Sequence, residues 1–180
     1  MSLYNKILNI SKTIAIQEGI NAINMRAISN KCDISLGSIY NYFPSKSSLI
    51  INTIESIWEE IFNLDNLSSC KNFIDTIVYI FNTSTTNLKK YPNFFTLHSF
   101  MIADENKEKG RDYMNKFLKN IKLTLVNSIE NDKNIKNSIF DEHLTKEIFV
   151  DYIFTLLLDL IFQKNANIAP LLTLIKNTIY

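Results

Sequence analysis

A chain of 180 residues with only three Gly and three Pro has room for one small helical domain beside a larger one, and too few turn-formers for an all-β protein. Apolar residues make up 46% of it, with 12 Phe and 8 Tyr to build a core, while two cysteines provide neither a disulfide framework nor a CxxC metal site. The net charge of +1 hides an asymmetry: residues 1–50 hold five bases against two acids, and the remaining 130 hold 14 against 16. That places the positive excess at the N-terminal end, as a nucleic-acid surface requires.

Taken in order, Ile7, Ile10 and Ile14 repeat at helical spacing and predict a helix over 3–18 that Gly19 closes, with Lys6 and Lys12 in solvent. Asn24 is a good N-cap for a short helix over 25–32, whose Met25, Ile28 and Cys32 share one face. Asp33 breaks the pattern and tolerates the left-handed backbone that a tight turn needs. Ser35 then caps a second short helix over 36–42, which Pro44 ends, and Ser45 caps the next. Two short helices joined by a tight turn, the second rich in small and hydroxyl residues, suit insertion into a DNA major groove.

A fourth helix is expected from Lys46 to about Phe62, followed by a polar, turn-like stretch over 63–69. Phe73, Ile77, Phe81 and Leu88 mark a helix ending at Lys89 and Lys90, and Pro92 opens a short aromatic-rich helix. A long helix follows over 107–131, then a polar connection over 132–138. The segment 141–163 is apolar nearly all round, its polar stripe reduced to Asp151, Thr155 and Asp159. Such a helix must be covered on most faces, which predicts a subunit interface. A final helix over 170–179 completes an all-α chain.

The order Gly19, Asn24, Met25, Arg26, Ile28, Ile34, Ser35, Gly37, Ser38, Ile39, Tyr40, Phe43, Lys46 and Leu49 resembles the DNA-binding domain of the TetR family of bacterial transcriptional regulators. The resemblance covers roughly residues 5–52, with Asp33 where the family usually has glycine and Ala15 where it often has phenylalanine. It implies an N-terminal helix-turn-helix domain over 1–46 and a helical ligand-binding and dimerisation domain over 47–180. It also implies that Asn24, Arg26, Ser35, Leu36, Gly37, Ser38, Tyr40, Asn41, Tyr42 and Lys46 form the DNA-facing set. Leu36, Gly37 and Ser38 stand where a docked helix meets base edges. None of the three can make a bidentate base contact, so specificity is expected to lean on DNA shape. Tyr40, Asn41, Tyr42 and Lys46 match positions that approach the phosphate backbone.

In the family the last two major helices form a four-helix bundle across a two-fold axis. Ile153, Leu156, Leu157, Leu160, Leu171, Leu174 and Ile175 are the residues expected there. Phe94, Phe95, His98, Met101, Tyr113 and Phe117 are the candidates for a ligand pocket, which suits a small hydrophobic or aromatic molecule. The sequence holds two histidines, no glycine-rich phosphate loop and no G-x-S-x-G, so neither catalysis, a metal nor a cofactor is expected. The longest apolar stretch, 148–162, is broken by Asp151 and Asp159 and is too short for a bilayer, and no signal peptide is visible. The expected protein is therefore a cytoplasmic homodimer, a repressor released from a palindromic DNA operator by its ligand. The alternative is a DNA-binding regulator without a small-molecule effector, controlled by a protein partner.

Overall fold

A computed structural model describes residues 2–92, 107–163 and 166–180. Among them are eight α-helices: α1 Leu3–Gln17, α2 Met25–Cys32, α3 Leu36–Tyr42, α4 Lys46–Ile61, α5 Phe73–Leu88, α6 Lys107–Asn131, α7 Lys146–Phe162 and α8 Ala169–Ile179. Single 3₁₀ turns stand at Ile20–Ala22, Leu67–Ser69 and Asn137–Ile139, and no strand occurs among the described residues. The all-α class holds. The short helix expected after Pro92 lies outside the described residues.

The chain divides into two compact units, one drawn from residues 1–60 and 88–115, the other from 61–87 and 116–180. In the first, Ile7, Ile14, Ile28, Ile39, Phe43, Leu49 and Ile57 are buried, each from the apolar face that its helical spacing marked. Burying one such side chain contributes about 1.5–3 kcal/mol, so this cluster is what holds the short helices in place. Polar contacts register α1 against α4. The Tyr4 hydroxyl donates to Asn52 Oδ1 at 2.8 Å, and the buried hydroxyls of Ser11 and Thr53 lie 2.8 Å apart.

Lys6 and Lys12 are not in solvent, which corrects the sequence expectation. Lys6 Nζ donates to the Cys32 carbonyl at 3.0 Å, where a cation suits the C-terminal end of α2. Lys12 pairs with Glu60 at 3.2 Å, its side chain only 15% exposed. Lys90 reaches the same carboxylate at 3.4 Å. Burial alone would raise the Glu60 pKa, but hydrogen bonds from Tyr91, Lys12 and Lys90 hold it below the ordinary value. Both lysines lie one or two helical turns along α1, and nothing in a helical periodicity reveals a partner that arrives from a distant segment.

The second unit packs Phe73, Ile77, Ile121, Leu125, Phe149, Ile153, Phe154, Leu157, Ile175 and Ile179 into its core. Phe149 meets Phe73 at 6.3 Å and the Phe140 ring edge-on at 6.0 Å. The helix expected to begin at Asp141 begins at Lys146 instead. Asp141 Oδ1 accepts from the amides of His143 and Leu144, both at 2.8 Å, forming a turn, and Thr145 caps the helix. The local competition of an aspartate side chain for backbone amides outweighs helix propagation there.

Asp132, the first residue of the expected polar connection, is buried. One carboxylate oxygen accepts from the Phe73 amide at 3.1 Å and from the Tyr180 hydroxyl; the other accepts from the Asn134 amide at 3.0 Å. It thereby joins the start of α5, the end of α6 and the residue after α8. Burial would raise its pKa, yet the hydrogen bonds from Tyr180, Asn134 and Phe73 hold the carboxyl below the ordinary aspartate value. The same contact, together with burial, raises the Tyr180 hydroxyl. Because the folded value is depressed, Asp132 stabilises the fold above the unfolded aspartate range, and that contribution disappears as pH falls through the folded value. We expect Asp132→Ala to cost about 1–3 kcal/mol at pH 7, by stranding the buried Phe73 amide, and the deficit to shrink near pH 3. Urea unfolding of both proteins at the two pH values measures it; equal midpoints at pH 7 would refute the anchor.

Candidate nucleic-acid interface

The site is assembled by local chemistry in α2, α3 and the residues between them. Asn24 is extended and its Oδ1 accepts from the Arg26 and Ala27 amides at 2.9 and 3.3 Å, which starts α2. Asp33 ends it in the left-handed conformation, φ 57° and ψ 49°, and its amide donates to the Asn30 carbonyl at 3.1 Å. The Ile34 amide donates back to the Ser29 carbonyl at 3.1 Å, closing the turn. Ser35 Oγ accepts from the Ser38 amide at 3.1 Å and starts α3. α3 stops at Phe43, which is extended ahead of Pro44, and Ser45 Oγ accepts from the Ser48 amide at 3.0 Å at the start of α4.

α3 is oriented from behind. Ile39 and Phe43 are fully buried, and the Tyr4 ring stacks on Phe43 with centroids 5.1 Å apart. Tyr4 also meets Tyr42 at 6.4 Å, tilted by 53°. With that side committed, Gly37, Tyr40, Asn41 and Tyr42 face outward, Leu36 and Ser38 are half-buried, and Ser35 lies open at the helix start. Asn24, Arg26 and Lys46 are exposed at the flanks, where Lys46 Nζ rests on the Asn21 carbonyl at 3.3 Å. The ten expected DNA-facing residues thus lie in one stretch of the first unit, around the exposed side of α3. Lys31, exposed in the last turn of α2, adds a cation that the sequence reading left out of the set. Tyr4 also lies outside the expected set; a ring so near the N-terminus carries no local signal that it packs against residues 42 and 43.

Phe94, Phe95, His98 and Met101 lie outside the described residues. Tyr113, half-buried in the first unit, donates its hydroxyl to Glu59 at 2.9 Å; burial and that carboxylate raise its pKa. Phe117, in the second unit, packs edge-on to Phe62 at 6.0 Å. A cleft of about 290 Å³ in the second unit, lined by Cys70, Lys71, Asn72, Thr76 and Ser128 among others, includes neither Tyr113 nor Phe117. Of the seven expected interface residues, Ile153, Leu157, Leu171 and Ile175 are buried within the chain. Leu156 and Leu174 are 44% and 49% exposed, and Leu160 is half-buried. Tyr152, one turn before Leu156, is 66% exposed and extends the same apolar face, although as an aromatic residue it falls outside the aliphatic pattern of the expected set. Among the described residues no cluster of His, Cys, Asp or Glu could hold a metal, and no helix is long and apolar enough to cross a membrane.

Residues 7–52 match the family described as bacterial regulatory proteins, tetR family. The chain is 25% identical over 115 residues to the transcriptional repressor KstR of Rhodococcus jostii, covering 63% of this chain and 54% of that protein. It is 30% identical over 94 residues to the transcriptional regulator QacR of Staphylococcus aureus, covering 51% of this chain and 49% of that one. The matched region thus spans about half the length of these relatives. A solved structure from a Rhodococcus species, assigned to the TetR family, superposes over 100% of both chains with a TM-score of 0.69 at 13% identity, which shows a common fold.

The turn residue offers a direct check on this local architecture. Asp33→Gly is expected to hold or raise the melting temperature, because glycine enters the left-handed region freely. Asp33→Val places a branched side chain there and is expected to cost about 1–2 kcal/mol. Thermal melts of the two variants compare them; a valine variant as stable as the parent would contradict the left-handed turn.

Proposed function

We propose that the chain, which belongs to the TetR family of bacterial regulatory proteins, is a dimeric repressor that grips a palindromic DNA operator and releases it when a small molecule binds. The observation that carries the reading is the outward side of α3, held rigid by buried Ile39 and Phe43 and flanked by Arg26, Lys31 and Lys46. A helix presented in this way enters the major groove, with flanking cations and hydroxyls on phosphates. Arg26, Tyr40, Tyr42 and Lys46 fix register, and Leu36, Gly37 and Ser38 approach the base edges.

Two-fold pairing would put two copies of α3 about one DNA turn, roughly 34–36 Å, apart, matching two half-sites. The exposed Tyr152, Leu156 and Leu174 support pairing through α7 and α8. The effector acts by population shift: it binds more tightly to a state whose recognition helices are spaced differently, and operator affinity falls by that difference. A small hydrophobic or aromatic ligand suits the aromatic-rich part of the second domain, over 47–180, in which Phe94, Phe95, His98, Met101, Tyr113 and Phe117 are the residues proposed to meet it.

Selection from randomised duplex DNA at near-physiological salt tests the reading. Enrichment of a palindrome supports a specific dimeric repressor; purely sequence-independent binding would sink it. On the selected site, Tyr42→Ala or Lys46→Ala is expected to weaken binding to all sequences alike, and for Lys46 to reduce the salt slope by about one. Leu156→Glu is expected to move the protein from dimer to monomer in sedimentation velocity, since a charge on that face opposes apolar burial; a variant that sediments as a dimer would exclude this seam.

A further inference from the structure

We infer that Asn41 is the residue through which this protein reads sequence directly, by a paired hydrogen bond to an adenine in the major groove; the inference rests on the DNA-binding reading above. α3 buries Ile39 and turns Gly37, Tyr40 and Asn41 outward. Residues four apart stand one above the other on a helix face, so Asn41 projects one turn beyond Gly37. An added Cβ at Gly37 would meet only Ser35 Oγ, at an ordinary 3.8 Å, so nothing inside the protein requires glycine there. Its value is outside: a helix stripped of a side chain at that point lies closer to the groove floor and brings Asn41 within reach of a base edge.

The other groups on this helix are poorly suited to the task. The Ser35 and Ser38 hydroxyls lie 2.8 Å apart and bond to each other. Leu36 has no side-chain hydrogen-bonding group, and the tyrosine hydroxyls make single contacts that suit phosphate. Asn41 is the one Asn, Gln, Arg or Lys on α3. It is exposed, and among the described residues its carboxamide makes no hydrogen bond. A carboxamide offers one donor and one acceptor side by side. Adenine presents the complement, with N7 accepting from Nδ2 and the N6 amino group donating to Oδ1, whereas guanine presents two acceptors and rejects the carbonyl. Asn41 therefore selects adenine over guanine at one position in each half-site.

The test is parallel selection from randomised duplexes with the full chain and with Asn41→Ala, at one salt concentration, followed by titration of the parent's selected site. The alanine replaces an exposed residue with a better helix former, so folding is preserved; matching circular dichroism melts establish that. The expected result is a parent palindrome with adenine fixed at one symmetric pair of positions, and a variant palindrome that loses that preference alone. Affinity for the parent site should fall roughly 5- to 150-fold per half-site with the salt slope unchanged. An unchanged base preference in the variant overturns the inference and leaves the repressor reading standing. So does a uniform loss on all sequences with a shallower salt slope, which would make Asn41 a phosphate contact. If the parent enriches no palindrome, both fall together, and that outcome is visible before any variant is used.

Discussion

A helix of seven residues has almost no stability of its own in water, because its nucleation cost is not recovered over so few hydrogen bonds. α3 therefore exists only as far as Ile39 and Phe43 are buried and Tyr4 is stacked on Phe43. Everything that faces outward from α3 is positioned by what is held inward. The left-handed Asp33 sets the angle between α2 and α3, and Ser35 and Ser45 fix where α3 begins and where α4 takes over.

The charge balance takes on a different meaning once partners are visible. Residues 1–50 hold five bases, yet Lys6 bonds the Cys32 carbonyl and Lys12 pairs with Glu60. Arg26, Lys31 and Lys46 remain exposed, around the helix-turn-helix. A long cationic side chain buried along a helix needs a carbonyl or carboxylate at its end, and both lysines have one. The paired Lys6 and Lys12 lie on α1 and the exposed Arg26, Lys31 and Lys46 on α2 and α4, and only tertiary contact tells the two groups apart.

In the second unit a buried carboxylate serves as the anchor. Asp132 ties the amide end of α5 to the last residue of the chain, and the Lys136 amide bonds the Ile179 carbonyl at 2.8 Å nearby. The carboxylate is tolerated because several donors surround it. The C-terminal helix is thereby fastened at its end as well as along its apolar face of Leu171, Ile175 and Ile179. Leu174, which borders that face, is 49% exposed.

The sequence by itself determined the all-α class, the caps at Asn24, Ser35 and Ser45, the left-handed turn at Asp33 and the core positions Ile39 and Phe43. Each depends on a residue's own backbone preference or on helical spacing within a few positions, and such forces are local. Only the tertiary structure decided that Lys6 and Lys12 are paired and that Asp132 is buried, since their partners lie 26, 48 and 59 residues away. It also decided which side of α7 is spent within the chain. An amphipathic helix announces its inward face, but one apolar nearly all round does not. The division between buried Ile153 and Leu157 and exposed Tyr152 and Leu156 was set by what packs against them.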